Sequence, residues 1–113
     1  MIELKKQALA NFKNCNIEDI QDGYSDNIFE IDGEEYEVLT DFEADDRWEE
    51  ELDFYIDECI LPQIPEKLQN YFDDEAWKRD ARYDGRGHCI ARYDGYENEE
   101  TIDGETFYIY RQN

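Results

Sequence analysis

Apolar positions recur along this chain at two different periods, and the switches between them mark its elements. From Glu3 to Phe12, Leu4, Ala8 and Phe12 share one face of a short helix. From Asn27 to Leu39 the period falls to two on both sides of Asp32-Gly33. That dipeptide supplies the positive φ angles of a primed hairpin turn. Thr40 and Glu43 then form a capping box, which predicts a long helix ending near Leu61, before Pro62. Within it Trp48, Leu52, Tyr55 and Cys59 fall at i, i+4, i+7 and i+11, a stripe expected to face the sheet. Further helical starts follow at Pro65 and at Asp73 or Asp74, the last carrying Ala76, Trp77 and Ala81. A second hairpin is predicted from His88 to Tyr93, an acidic loop, and Thr106 to Arg111. The order is α+β. It describes a single domain over residues 1–113, two antiparallel hairpins packed against a long acidic amphipathic helix and shorter helices.

Charge changes the picture. The chain has 32 acids against 11 bases, a net −21, yet 15% of its residues are aromatic. A disordered acidic tail lacks the apolar surface to fold; this chain has it. The same field repels DNA and anionic membranes, so neither is an expected partner. No apolar h-region opens MIELKKQALANF, and no run is apolar enough to span a bilayer; the expected location is cytoplasmic, the host bacterial cytoplasm once the resemblances below are included. Cys15, Cys59 and Cys89 are odd in number and far apart, which suits free, buried thiols in a reducing compartment. With His88 they make a formal Cys3His set, but no ligand-like spacing supports zinc, and no cofactor is expected.

The acids concentrate in the long helix. Ten of the 18 residues from Asp41 to Glu58 are acidic, with only Arg47 to offset them. Asp46, Glu50, Asp53 and Asp57 form one row, and Asp45, Glu49 and Glu51 lie beside it. Carboxylates three or four apart on a helix repel by a few tenths of a kcal/mol per pair, roughly the inverse of an ion pair's gain. Stability alone gives no reason to collect them. One explanation is a solvated face. The other is imitation of a nucleic acid, a rigid row of carboxylates occupying the basic cleft of a protein that binds phosphates. The segment Asp94 to Glu105, with Asp94, Glu97, Glu99 and Glu100, is expected to extend that row.

Other chemistry is not supported. Asp94 to Glu105 has the length of a calcium loop, but Tyr96 and Glu99 stand where an oxygen ligand and the obligatory glycine belong. Gly85-Arg86-Gly87 lacks the Lys-Ser/Thr partner of a phosphate loop; its glycines predict φ > 0 or close backbone approach in a turn entering a strand. His88 beside Cys89 is not a nucleophile pair, because neighbours in a strand point to opposite faces.

Ile64-Pro-Glu-Lys-Leu-Gln-Asn-Tyr-Phe-Asp-Asp-Glu-Ala-Trp-Lys-Arg-Asp80 resembles a segment near the C-terminus of ArdA-type antirestriction proteins, acidic DNA mimics, with Lys78 where that pattern usually has Ala. Glu35 to Asp45, Asp84 to Glu97 and Tyr108 to Arg111 look like a family of small phage proteins. Together these resemblances imply a mobile-element protein acting inside a bacterium. The expected function is a DNA-mimic inhibitor, not an enzyme. Its expected partner is a basic nucleic-acid-binding protein of the host, either a CRISPR effector or a restriction–modification enzyme. The competing expectation is an interaction module whose solvated acidic surface binds a basic host or phage protein. Both leave a homodimer open.

Overall fold

The computed structural model describes every residue, Met1–Asn113, and its architecture is α+β. Helix α1 (Ile2–Lys13) leads into strands β1 (Gln21–Asp22), β2 (Ile28–Ile31) and β3 (Glu34–Thr40). Helices α2 (Asp41–Tyr55), α3 (Asp74–Ala81) and α4 (Arg86–Ile90) follow, then β4 (Asn98–Ile102) and β5 (Glu105–Arg111). The strands form one sheet in the order β1-β2-β3-β5-β4, every neighbouring pair antiparallel. All the helices beyond α1 are thus an insertion between β3 and the hairpin that completes the sheet.

Alternation along the strands builds two cores. Phe29, Tyr36, Val38, Phe107 and Ile109 point to one face, where Ala8 and Leu9 of α1 cover them. Leu39 and Tyr110 point to the other face and pack with Ala44 of α2 and with Ile90 and Ala91. The long acidic helix and the N-terminal helix therefore sandwich the sheet instead of sharing a face.

The first hairpin turns where Asp-Gly predicts, with Asp32 at φ 52° and Gly33 at φ 79°. The capping box is also formed: the Glu43 amide donates to Thr40 Oγ1 at 3.3 Å, and the Thr40 amide donates to Glu43 Oε1 at 2.9 Å. From Ile56 to Ile60 the helix loosens into a π-turn, followed by a 3₁₀ turn from Leu61 to Gln63. That change of pitch corrects the predicted stripe. Trp48 and Leu52 pack inward, joined by Ala44 and Ile56, whereas Tyr55 is 50% exposed and Cys59 is exposed. A π-turn advances each residue by less than the 100° of an α-helix, so Cys59 falls out of phase with the stripe, whereas Tyr55, still within α2, keeps the phase and stacks on Trp77 of α3. Cys59 is accordingly not a buried thiol; Cys15 and Cys89 are partly buried, and all three are free.

The second hairpin differs from expectation. Its strands are β4 and β5, joined at Asp103-Gly104 with φ 52° and 82°, so the predicted acidic loop is itself an edge strand. Residues 86–90 form the short helix α4 instead of a strand. Gly85, at φ 85° and ψ 157°, occupies a region essentially closed to other residues and breaks the chain direction there. Gly87 is in close approach: a Cβ would meet the Glu97 amide nitrogen at 2.8 Å and the Gly95 oxygen at 3.0 Å. The glycines do what their residue type predicts, but they deliver the chain into a helix.

The molecule is long for its size. Its radius of gyration is 16.5 Å, with extents of 55 × 28 × 21 Å, against about 13 Å for a compact chain of this length. Between Ile56 and Lys78 no residue is buried. That stretch is an arm that continues α2, turns, and returns as α3.

Candidate functional site

The acidic surface is best described by asking which carboxylates the protein uses itself. Ten of its 32 acids take part in ion pairs, leaving 22 with none. Nine of the 11 Lys and Arg residues are engaged in those pairs; Lys67 and Arg79 are the exceptions. Nearly all the positive charge is spent on the protein's own carboxylates.

Two cations organise the predicted site. Lys78, its side chain 6% exposed, donates to Glu49 Oε1 at 2.7 Å and pairs with Asp53 Oδ1 at 2.5 Å. Arg82 Nη2 donates to the other Glu49 oxygen at 2.6 Å. Bonds to Asp53 and Glu49 raise the Lys78 pKa above its ordinary value, and the Lys78 bond lowers that of Glu49. These contacts clasp α3 against α2, with the Tyr55 and Trp77 rings stacked beside them. Lys78 is thus the residue that fastens the arm.

Arg86 is the second organiser. Its Nη2 donates to Asp41 Oδ1 at 2.8 Å and its Nη1 to Asp45 Oδ1 at 2.7 Å, while Nε donates to Glu97. The guanidinium lies 4.5 Å from the centre of the Tyr108 ring. Burial opposes its charge, but the bonds to Glu97 and Asp41 outweigh that and raise its pKa. The Tyr110 hydroxyl also donates to Glu97; burial first, then this bond, raises the phenol's pKa. Arg86 therefore ties α2, α4 and the segment before β4 together.

The ten predicted site residues consequently divide. Asp45, Glu49, Asp53 and Glu97 hold the fold together, whereas Asp46, Glu50, Asp57, Glu99 and Glu100 make no ion pair. Asp94 Oδ1 accepts from the Tyr96 amide at 3.0 Å, a local turn bond. Glu99 and Glu100 are successive residues of β4 and point to opposite faces, so the predicted extension of the row is interrupted.

On α2 the row itself is intact. At about 100° per residue, Asp45, Asp46, Glu49, Glu50 and Asp53 fall within an arc of roughly 140°, beside the buried arc, and Asp57 follows in the π-turn that continues the helix. From Asp45 to Asp53 they cover about 12 Å of helix at 1.5 Å per residue, close to one carboxylate per 3 Å. Duplex DNA presents one phosphate per about 3.4 Å of axis on each strand. Pairing does not withdraw the tied members from solvent: the side chains of Asp45 and Asp53 remain 63% and 56% exposed.

Next to this row Glu37, Glu43, Asp46 and Glu50 line a shallow hollow around Arg47. Glu37 is 6% exposed; burial raises its pKa, with the Arg47 charge acting against that. Arg47 Nε donates to Glu37 Oε1 at 3.1 Å, which leaves Asp46 and Glu50 as the free carboxylates of the hollow. A larger groove of about 490 Å³ opens between α2, α3 and α4, walled by Phe54, Tyr55, Trp77 and Ala81. Sequence reasoning missed it, because Tyr55 reads as a core residue until the arm folds back beside it.

Cys15, Cys59, Cys89 and His88 do not converge, and no group of three potential ligands stands together. No helix is long and apolar enough to cross a membrane. No protein-family model, curated protein or solved structure matches the chain.

Proposed function

We propose that this protein inhibits a nucleic-acid-binding defence enzyme of a bacterial host, a CRISPR effector or a restriction–modification enzyme, by occupying its basic nucleic-acid-binding surface. The observation that carries the proposal is the outward arc of α2. Its carboxylates, continued by Asp57, match one DNA strand in axial spacing, and although Lys78, Arg82 and Arg86 pair with Glu49, Asp53 and Asp45, the protein's own cations neutralise none of Asp46, Glu50 and Asp57. The clasp through Lys78 and the hub at Arg86 hold that arc rigid from both ends. Rigidity matters because ordering flexible side chains on binding costs affinity.

A second function, an interaction module that binds a basic host or phage protein for assembly, uses the same surface and differs in what competes for it. Capture from bacterial lysate with and without duplex DNA separates them. A mimic's target is displaced by DNA and its affinity falls steeply between about 50 and about 500 mM salt, because both surfaces release counterions. A target indifferent to DNA would refute mimicry and favour the module; a flat salt profile would refute both.

A further inference from the structure

The groove between α2, α3 and α4 is an unusual feature on so acidic a surface. Leu52, 2% exposed, forms its floor, while Phe54 and Tyr55 stand 63% and 50% exposed along one wall. Tyr55 and Trp77 are stacked, ring centres 5.5 Å apart and planes 8° from parallel. The Lys78 clasp fixes the spacing of α2 and α3, so the groove exists before anything enters it. Carboxylates stand at the mouth: Glu51 pairs with Arg47 and Arg92, and Asp84 makes no ion pair.

We propose that this groove receives an aliphatic or aromatic side chain from a Lys/Arg-rich helical segment of the partner. The inference rests on the proposed basic partner and adds an apolar anchor to it. Charge complementarity selects the occupant. Whatever approaches must cross the field of a chain with net charge −21, which favours an apolar side chain flanked by cations. The same field disfavours a second copy of this chain, which brings its own −21 to the contact. A volume of about 490 Å³ lies within the range of pre-formed binding clefts, about 300–1,000 Å³. Tyr and Trp, the types of Tyr55 and Trp77 on its walls, are among the residues in which interfaces concentrate their binding energy.

The test needs no prior identification of the partner. The probes are a helical peptide with leucines at i, i+3 and i+7 among lysines, and the same peptide with serine in place of leucine. Tryptophan fluorescence reads the outcome, because Trp77 lines the groove and Trp48 is the only other tryptophan. The leucine peptide should bind about tenfold more tightly than the serine peptide, shift the emission to the blue, and retain affinity at high salt. Phe54→Ala with Tyr55→Ala should reduce it to the serine peptide's affinity. If that pair lowers the melting temperature, Ala81→Gln, which fills the groove and keeps its walls, must give the same loss. Equal affinity for both peptides, or unchanged emission, overturns the groove while leaving the acidic surface intact. Failure of both peptides to bind even at low salt overturns the basic partner as well. Sedimentation showing a dimer that Ala81→Gln dissociates would make a second copy the occupant and overturn the proposal.

Discussion

Arg86→Ala separates a binding residue from a structural one, because the two roles predict opposite melting curves. The side chain is 12% exposed, reaches three carboxylates on two parts of the chain, and covers the Tyr108 ring. Asp41 and Asp45, with side chains 68% and 63% exposed, can rehydrate when it leaves, so each of those pairs counts for about 0.5 kcal/mol. Glu97 is the expensive partner: its bond to a charged donor is worth roughly 1.5–3 kcal/mol, and the stacking over Tyr108 adds about 0.5–1 kcal/mol. Truncation should therefore cost about 3–5 kcal/mol, and it adds one more unit to a net charge of −21. For a domain of this size that is a fall of roughly 10–20 °C in Tm. Thermal and urea melts followed by circular dichroism measure it. Arg86→Lys keeps the charge without the planar fork and should fall between the two. A variant that melts within a couple of degrees of the parent yet loses its target would refute the structural role and make Arg86 part of the interface.

Neutralising Asp46, Glu50 and Asp57 to Asn or Gln should leave Tm unchanged or slightly raised, while inhibition weakens by about 1.5–3 kcal/mol, roughly 10- to 150-fold; inhibition at parental strength shows a merely solvated face. Glu49→Gln with Asp53→Asn should do the reverse to stability, lowering it by about 1–3 kcal/mol because Lys78 loses both charged partners while their half-exposed positions soften the loss, and urea melts check this. Gly87→Val should destabilise strongly through overlap with the Gly95–Glu97 backbone, and Gly85→Ala by about 1–3 kcal/mol through its φ; a parental Tm for Gly87→Val would show that the two backbones separate freely. Burial acts to raise the Glu43 pKa, but the bonds from Lys5 and from Thr40 outweigh it and hold it below the ordinary carboxylate value, and bonds from Tyr36 to Glu34 and from Lys78 to Glu49 lower theirs too. Their contribution is complete above the unfolded value and drains as pH falls through the lower folded values, whereas Glu37, shifted upward by burial, loses its contribution as pH rises. Stability should therefore drop on acidification below about pH 4.5, and Glu49→Gln should flatten that limb in melts across pH.

What the sequence disclosed depended on whether a signal was local. Asp32-Gly33 and the pair Thr40 and Glu43 specify their geometry within four residues, and both form as predicted. Asp103-Gly104 carries the same hairpin signal, flanked by Ile102 and Phe107, but the acids from Glu97 to Glu100 obscure the alternation and made β4 read as loop. His88 to Tyr93 has strand-like composition, and tertiary packing overrides it. Gly87 must fit against Gly95 to Glu97, and Arg86 must reach Asp41, some 45 residues earlier. Periodicity carries no record of either constraint.

The site was legible in the same proportion. Helical spacing placed the acids of α2 on one arc without help from the rest of the fold. It could not tell which of them the protein needs for itself. Asp53 and Asp57 are equivalent in sequence pattern, yet Lys78 binds one and leaves the other free, because α3 returns alongside α2 only after the turn through Pro62 and Pro65. That return also converts Tyr55 from a core position into the wall of a groove. The arm thus has two consequences that follow from one clasp: it fixes the acids of α2 as a rigid row, and it places an apolar cleft beside them. A protein that only needed solubility would require neither, since scattered carboxylates on a shorter chain would serve. Rigid charge next to a preformed apolar cleft is the combination that the proposed basic partner would engage, its cations meeting the row and an apolar side chain filling the cleft.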